Sequence, residues 1–139
     1  MKWLVYALLC LALWGLWGFL LKVASKGLDW KAVYFLSTAA SFVLAVAVVM
    51  LSGGIELGNK PRNLITMAII AGLASGSGYI AFMKALGGGK ASIVIPLTAA
   101  YPAITVALAT TLLGEKLSTI QLIGVALTIV GCILLSINY

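Results

Sequence analysis

Histidine is absent from this 139-residue chain, and only three residues carry a carboxylate: Asp29, Glu56 and Glu115. Without imidazole the chain lacks the side chain that most often serves as general acid or base near neutral pH. The three acids stand apart, each in a loop or near the end of an apolar run, and the two cysteines, Cys10 and Cys132, are far apart in sequence. No metal-ligand spacing and no nucleophile–base pattern arises from them. Enzymatic catalysis, a resident metal and an organic cofactor are therefore not expected. Charge of either sign is scarce as well, at 9% of residues against about 25% in soluble domains. That is too little to cover a soluble globule. Lysine and arginine outnumber the acids nine to three, for a net charge of +6. In a soluble protein such an excess would point to nucleic acid. In a chain this apolar the lysines belong at lipid headgroups, and no nucleic-acid partner is expected.

What the chain has in abundance is hydrophobic length. Hydrophobic residues make up 63% of it and the mean hydropathy is +1.19, which defines an all-α integral membrane protein. Five apolar runs, at residues 3–21, 32–52, 64–86, 92–113 and 120–137, are long enough for transmembrane helices. They use nearly the whole chain, which reads as one membrane domain over residues 1–139. The first run follows Lys2 as a signal peptide would, but it is long and no small-residue cleavage site follows, so a span is expected. It holds Gly15 and Gly18 beside Trp14 and Trp17, which are deeper than the interfacial level tryptophan favours, and so face lipid or wall a cavity. Ser37, Ser41 and Ala45 in the second run, and Ala68, Gly72 and Gly76 in the third, recur every four residues. Such small-residue stripes let helices approach closely in lipid. Ser75 and Tyr79 occupy an adjacent face of the third run. Lys84 near its end is placed to snorkel to the headgroups, and Gly87, Gly88 and Gly89 read as a tight connection. Ser118 followed by Gln121 has the spacing of a capping box, which starts the last run.

The fourth run organises the rest. Its 22 uncharged residues from Ser92 to Leu113 contain Pro96 and, at mid-length, Pro102. A proline inside a helix removes a donor and strands the carbonyl four residues earlier, here those of Ser92 and Thr98. Stranded carbonyls are not tolerated against lipid, so this helix is expected to break and to face protein or a wet cavity. Thr98, Tyr101 and Thr105 fall at i, i+3 and i+7, one hydroxyl-bearing stripe on a helix. A broken helix of that kind at the bilayer midplane is the material of a transport site; the plainer reading is a kinked helix whose threonines bond their own backbone. The expected substrate contacts are Trp14, Ser75, Tyr79, Thr98, Tyr101 and Thr105 around one shared cavity, with Pro96 and Pro102 as the helix breaks.

Two stretches, ALWGLWGFLLKVASKG and ASIVIPLTAAYPAITVALATTLLGEKLSTIQLIGVALTIVGCILL, carry a family resemblance. The second is the more specific, joining the prolines, the GEKLS turn and the glycines of the last run. Together they resemble the EamA-type domain of the drug/metabolite transporter superfamily. The resemblance implies a secondary transporter of small organic solutes, resident in the inner or plasma membrane of a prokaryotic cell. Members usually carry two such five-helix units in inverted orientation around a central cavity. This sequence holds one unit, half of a ten-helix inverted-repeat transporter, and the other half must come from another subunit. The first run is also similar to that of the small multidrug resistance family, whose proton-coupling glutamate would stand where this chain has Gly15. A multidrug-type exporter is thereby disfavoured, and a non-transporting subunit of a larger complex is the other alternative. Counted by loops, Lys2, Lys60, Arg62 and Lys116 fall on one side of the membrane and Lys22, Lys26, Lys31, Lys84 and Lys90 on the other. Orientation follows lysine and arginine asymmetry, and four against five supplies almost none. Dual topology and an antiparallel homodimer are expected, with a heteromeric partner as the alternative.

Overall fold

The computed structural model describes residues 2–58 and 60–137. These residues form six helices: α1 (Lys2–Ala24), α2 (Trp30–Leu51), α3 (Arg62–Gly88), α4 (Ala91–Thr98), α5 (Pro102–Leu112) and α6 (Thr119–Ser136). The first three, and Ala91–Leu112 taken as one broken segment, are long and apolar enough to cross a bilayer, and α6 is a shorter apolar helix. At about 1.5 Å per residue, the 18 residues of α6 reach roughly 27 Å, a few ångströms short of the hydrocarbon thickness. This is an all-helical, multi-pass membrane protein. The chain divides into two compact units, Met1–Gly87 and Gly88–Tyr139.

In the first unit, α1 ends where Ser25 Oγ donates to Leu21 O at 2.8 Å and the backbone tightens through Lys26 N–H to Val23 O at 3.1 Å. Asp29 caps α2, its carboxylate accepting the Lys31 N–H at 3.3 Å. The helix stops at the other end because Gly53 takes φ +88° and lets Gly54 N–H return to Val49 O at 2.9 Å, satisfying a carbonyl the helix leaves open. Tight packing is concentrated near the end of the unit where α1 and α3 finish and α2 begins. Gly18, Leu21, Val33, Met83 and Leu86 are buried there, the last two completely. Lys22 joins these helices, its Nζ donating to Leu86 O at 2.8 Å. A cation on the last carbonyls of a helix also complements its dipole. In lipid, burial of this kind contributes close packing rather than hydrophobic gain, because hydrocarbon surrounds the exposed helix faces as well.

Two expectations are corrected here. The third helix does not end at residue 86 but runs through Gly87 and Gly88, so the glycine-rich connection shrinks to Gly89 and Lys90. Continuing the helix satisfies backbone groups at membrane depth, and glycine is tolerated in membrane helices. The close crossing expected at Gly72 and Gly76 is not made within the unit: a Cβ on Gly72 would meet nothing within 4 Å, and one on Gly76 would meet only Tyr34 Oη, at 3.7 Å. Lys84, near the end of α3, is exposed. Its Nζ lies 5.5 Å from the centre of the Trp30 ring, with Lys31 Nζ at 5.9 Å from the same ring, cation–π contacts at the interfacial level.

In the second unit α4 packs against α6, burying Val94 and Cys132. Gly114, at φ +67°, closes α5 and brings Glu115 N–H to Ala109 O at 3.2 Å. The expected capping box opens α6: Gln121 N–H donates to Ser118 Oγ at 3.3 Å, and Ser118 N–H donates to Gln121 Oε1 at 2.7 Å.

Candidate functional site

The fourth run breaks at Pro102 but not, as also expected, at Pro96: α4 runs through Pro96, which withholds only its own donor from Ser92 O. The helix ends at Thr98, three residues turn, and Pro102 opens α5 as its first residue. That position suits proline, whose missing N–H would have had no helical partner there anyway. Through the turn the hydrogen bonds shorten from the α to the 3₁₀ pattern: Ala100 N–H to Leu97 O at 3.2 Å, Tyr101 N–H to Thr98 O at 3.3 Å, and Ala103 N–H to Ala100 O at 3.0 Å. Thr98 O, stranded by Pro102, is thus taken by Tyr101 N–H. Pro96 O loses its own α-helical donor because Ala100 N–H has turned to Leu97. Its partner comes instead from α6, where the buried Cys132 Sγ lies 3.1 Å away. The thiol thus joins α6 to the broken helix.

The hydroxyl stripe of this region divides. Thr98 Oγ1 donates back to Val94 O at 2.8 Å and to Ile95 O at 3.0 Å, as the plainer reading expected of these threonines. Tyr101 is 53% exposed and Thr105 is exposed. The change of hydrogen-bond pattern between Thr98 and Pro102 means that the three residues no longer share a single uninterrupted helix.

In the first unit the polar focus is Tyr79. Its hydroxyl lies 2.6 Å from Ser37 Oγ, and Ser37 Oγ is 2.7 Å from Val33 O. A hydroxyl has one proton to give; Tyr79 donating to Ser37 while Ser37 donates to Val33 satisfies all three oxygens. Aromatic rings enclose the pair. Trp17 and Tyr34 tilt against Tyr79 at centroid distances of 5.4 and 5.1 Å, and Trp17 stacks on Phe82 at 5.4 Å with 15° between the planes. Helices α1, α2 and α3 each contribute to this cluster. Trp14 and Ser75, expected beside Tyr79, are both exposed; of the two tryptophans it is Trp17, next to the buried Gly18, that enters. Tyr34, Ser37 and Phe82 were outside the expected set. Phe82 was legible in principle, being at i+3 from Tyr79 on the same helix face. Selection of Ser37 over Ser41 depends on how α2 and α3 meet, which helical periodicity does not encode.

A multi-pass helical membrane protein with one span broken by proline in mid-course, and with no intramembrane acid among its described spans, is of the class to which solute carriers belong. Residues 1–137 match the model of the EamA-like transporter family, and the chain belongs to that family. An uncharacterized protein of Methanocaldococcus jannaschii is 47% identical over 77 residues, which are 55% of this chain and 56% of that protein. This chain therefore matches little more than half the length of that relative. An uncharacterized transporter encoded in the cobO 3' region of a Sinorhizobium species is 26% identical over 137 residues, 98% of this chain and 97% of that one. No solved structure matches the chain.

Proposed function

We propose that the protein is a secondary transporter of small organic solutes, working as an antiparallel homodimer that forms its cavity between two inverted copies of the chain. Membership of a transporter family over residues 1–137 carries the reading, and the proline-broken segment Ala91–Leu112 supplies the local structure a carrier needs at mid-membrane depth. The Sinorhizobium relative, matched almost end to end, bears the name of a transporter at this same length. The near balance of lysine and arginine between the two sides supports insertion in both orientations. The substrate-contact candidates are Trp14, Ser75 and Tyr79 in the first unit and Thr98, Tyr101 and Thr105 in the second. All are uncharged, which favours neutral or zwitterionic solutes. Alternating access would proceed by rocking of the two copies about the shared cavity.

Proteoliposomes containing only this protein test the proposal. Radiolabelled neutral amino acids and sugars, offered in counterflow, are expected to give saturable uptake. Tyr101→Ala is expected to reduce it at least tenfold, whereas Leu112→Ala, at similar expression, leaves it within about twofold; a tenfold loss corresponds to about 1.4 kcal/mol. Uptake absent for every solute class from well-folded protein would favour the non-transporting subunit instead.

A further inference from the structure

A groove of about 360 Å³ runs along the first unit between α1 and α2, and the transport reading makes no use of it. Its walls are Leu13, Leu16, Trp17 and Leu20 from α1 with Val33 and Leu36 from α2; Ala24 and Leu28 stand at one end. Its polar side-chain groups are the Ser37 hydroxyl, already held by Tyr79 and Val33 O, and the indole N–H of Trp17. The remaining walls are aliphatic, so a polar solute finds few hydrogen-bonding groups there and the groove suits a hydrocarbon guest. Leu13 to Ala24 is 12 residues of helix, and the 11 steps between them cover about 16 Å. That is close to the roughly 15 Å of a single leaflet's hydrocarbon.

The groove also has a polarity. At the Ala24 and Leu28 end the chain places Lys22, Lys26, Lys31 and Lys84, with Asp29 as the one carboxylate on the same turn. Lys26 and Lys31 are exposed. Lys31 and Lys84 both approach the ring of Trp30, a residue type that favours the headgroup level. Lys22 is engaged on Leu86 O, and the Asp29 carboxylate accepts the Lys31 backbone N–H. An apolar channel one leaflet long therefore opens at a cluster of ammonium groups.

We infer that this groove binds an anionic glycerophospholipid, one acyl chain lying between α1 and α2 and the phosphate held by Lys26 and Lys31. Charge complementarity selects this occupant over a zwitterionic lipid, and the length of the groove selects a lipid chain over a second protein helix, which would extend across both leaflets. Lysines at a membrane surface favour anionic lipid by about fivefold each.

The experiment reads Trp17, which lines the groove. In a chain carrying Trp3→Phe, Trp14→Phe and Trp30→Phe, Trp17 is the sole tryptophan. The protein is reconstituted in phosphatidylcholine vesicles containing a minor fraction of brominated phosphatidylglycerol or brominated phosphatidylcholine. Quenching by the anionic lipid is expected at several-fold lower mole fraction than by the zwitterionic one. Lys26→Gln with Lys31→Gln is expected to bring the two lipids to parity, and Ala24→Phe, which narrows the groove without changing charge, to weaken quenching by both. Equal quenching in the parent, or an anionic preference that survives the double lysine change, overturns the inference. So does quenching by neither lipid, which would mean that protein covers the groove. Because the tryptophan replacements alter packing, the unsubstituted chain supplies a second measurement. Native mass spectrometry after incubation with equimolar phosphatidylglycerol and phosphatidylcholine should retain chiefly the anionic lipid; equal retention counts against it. Both readouts are of binding and do not depend on the transport activity.

Discussion

Tyr79 and Ser37 meet at 2.6 Å among aromatic rings and link α3 to α2. Interhelical hydrogen bonds in membrane proteins contribute only about 0.6 kcal/mol on average, up to about 1.7, since the separated helices find other partners. A double-mutant cycle of Ser37→Ala and Tyr79→Phe, followed by thermal unfolding in detergent, should give a coupling in that range. A value near zero would mean that the aromatic packing, and not the hydroxyl pair, joins α2 to α3. The contact between Cys132 Sγ and Pro96 O makes a different demand. Thiol is a weak donor, but Pro96 O has lost its helical one. Cys132→Ala should therefore destabilise the protein by about 1 kcal/mol, at the low end for stranding a buried acceptor. Cys132→Ser, which keeps a donor in place, should recover most of that loss in the same unfolding measurement. A merely space-filling cysteine would show no advantage of serine over alanine.

Among the elements, the α4–α5 segment carries the strongest expectation. Pro102→Ala restores an N–H that can reach Thr98 O, the acceptor now taken by Tyr101 N–H. It should draw α4 and α5 toward one continuous helix, with higher helicity by circular dichroism and folding intact. If the break serves alternating access, transport turnover falls; unchanged turnover in a straightened helix would make the break incidental. The turn after α5 gives a contrasting case. Gly114 sits at φ +67°, where an L side chain meets a steric cost of about 1–2 kcal/mol, so Gly114→Ala should destabilise although open space surrounds it. Both features were legible beforehand, because proline and glycine act on their own backbone and need no tertiary partner to do so. The end of α3 was not legible: three consecutive glycines read as a connection, yet the helix takes up two of them.

At the scale of the whole molecule, the question is how copies of the chain assemble. Glycines of the third and last helices are open within each unit: Gly72, Gly124 and Gly131 would each accept a Cβ with nothing within 4 Å. If one of those faces packs against another copy, a large residue there should dissociate the assembly while leaving the monomer's unfolding unchanged. Gly124→Leu and Gly72→Leu, compared by analytical ultracentrifugation in detergent, distinguish the last helix from the third as the contact. Dual topology has a separate test. Gly27→Cys and Leu57→Cys stand in the loops at opposite ends of α2 and leave all charges unchanged. In a background with Cys10→Ala and Cys132→Ser, each site should react with an impermeant maleimide from outside in about half of the molecules. One site reacting fully and the other not at all would establish a single orientation and remove the antiparallel homodimer.

Sequence alone determined that the chain is helical and membrane-spanning, where its main helical runs lie, that the fourth run breaks at Pro102, and that Ser118 and Gln121 cap the last helix. Each follows from local causes: hydrocarbon obliges the backbone to satisfy itself, proline withholds a donor, and a capping box closes within four residues. The partners of the side chains were decided only in three dimensions. Trp17 in preference to Trp14, Ser37 in preference to Ser41, Cys132 on Pro96 O and Lys22 on Leu86 O each depend on the rotation and depth of one helix against another. In lipid those are set by packing and a few interhelical hydrogen bonds, because an apolar face has no solvent to avoid and helical periodicity no longer marks which side turns inward.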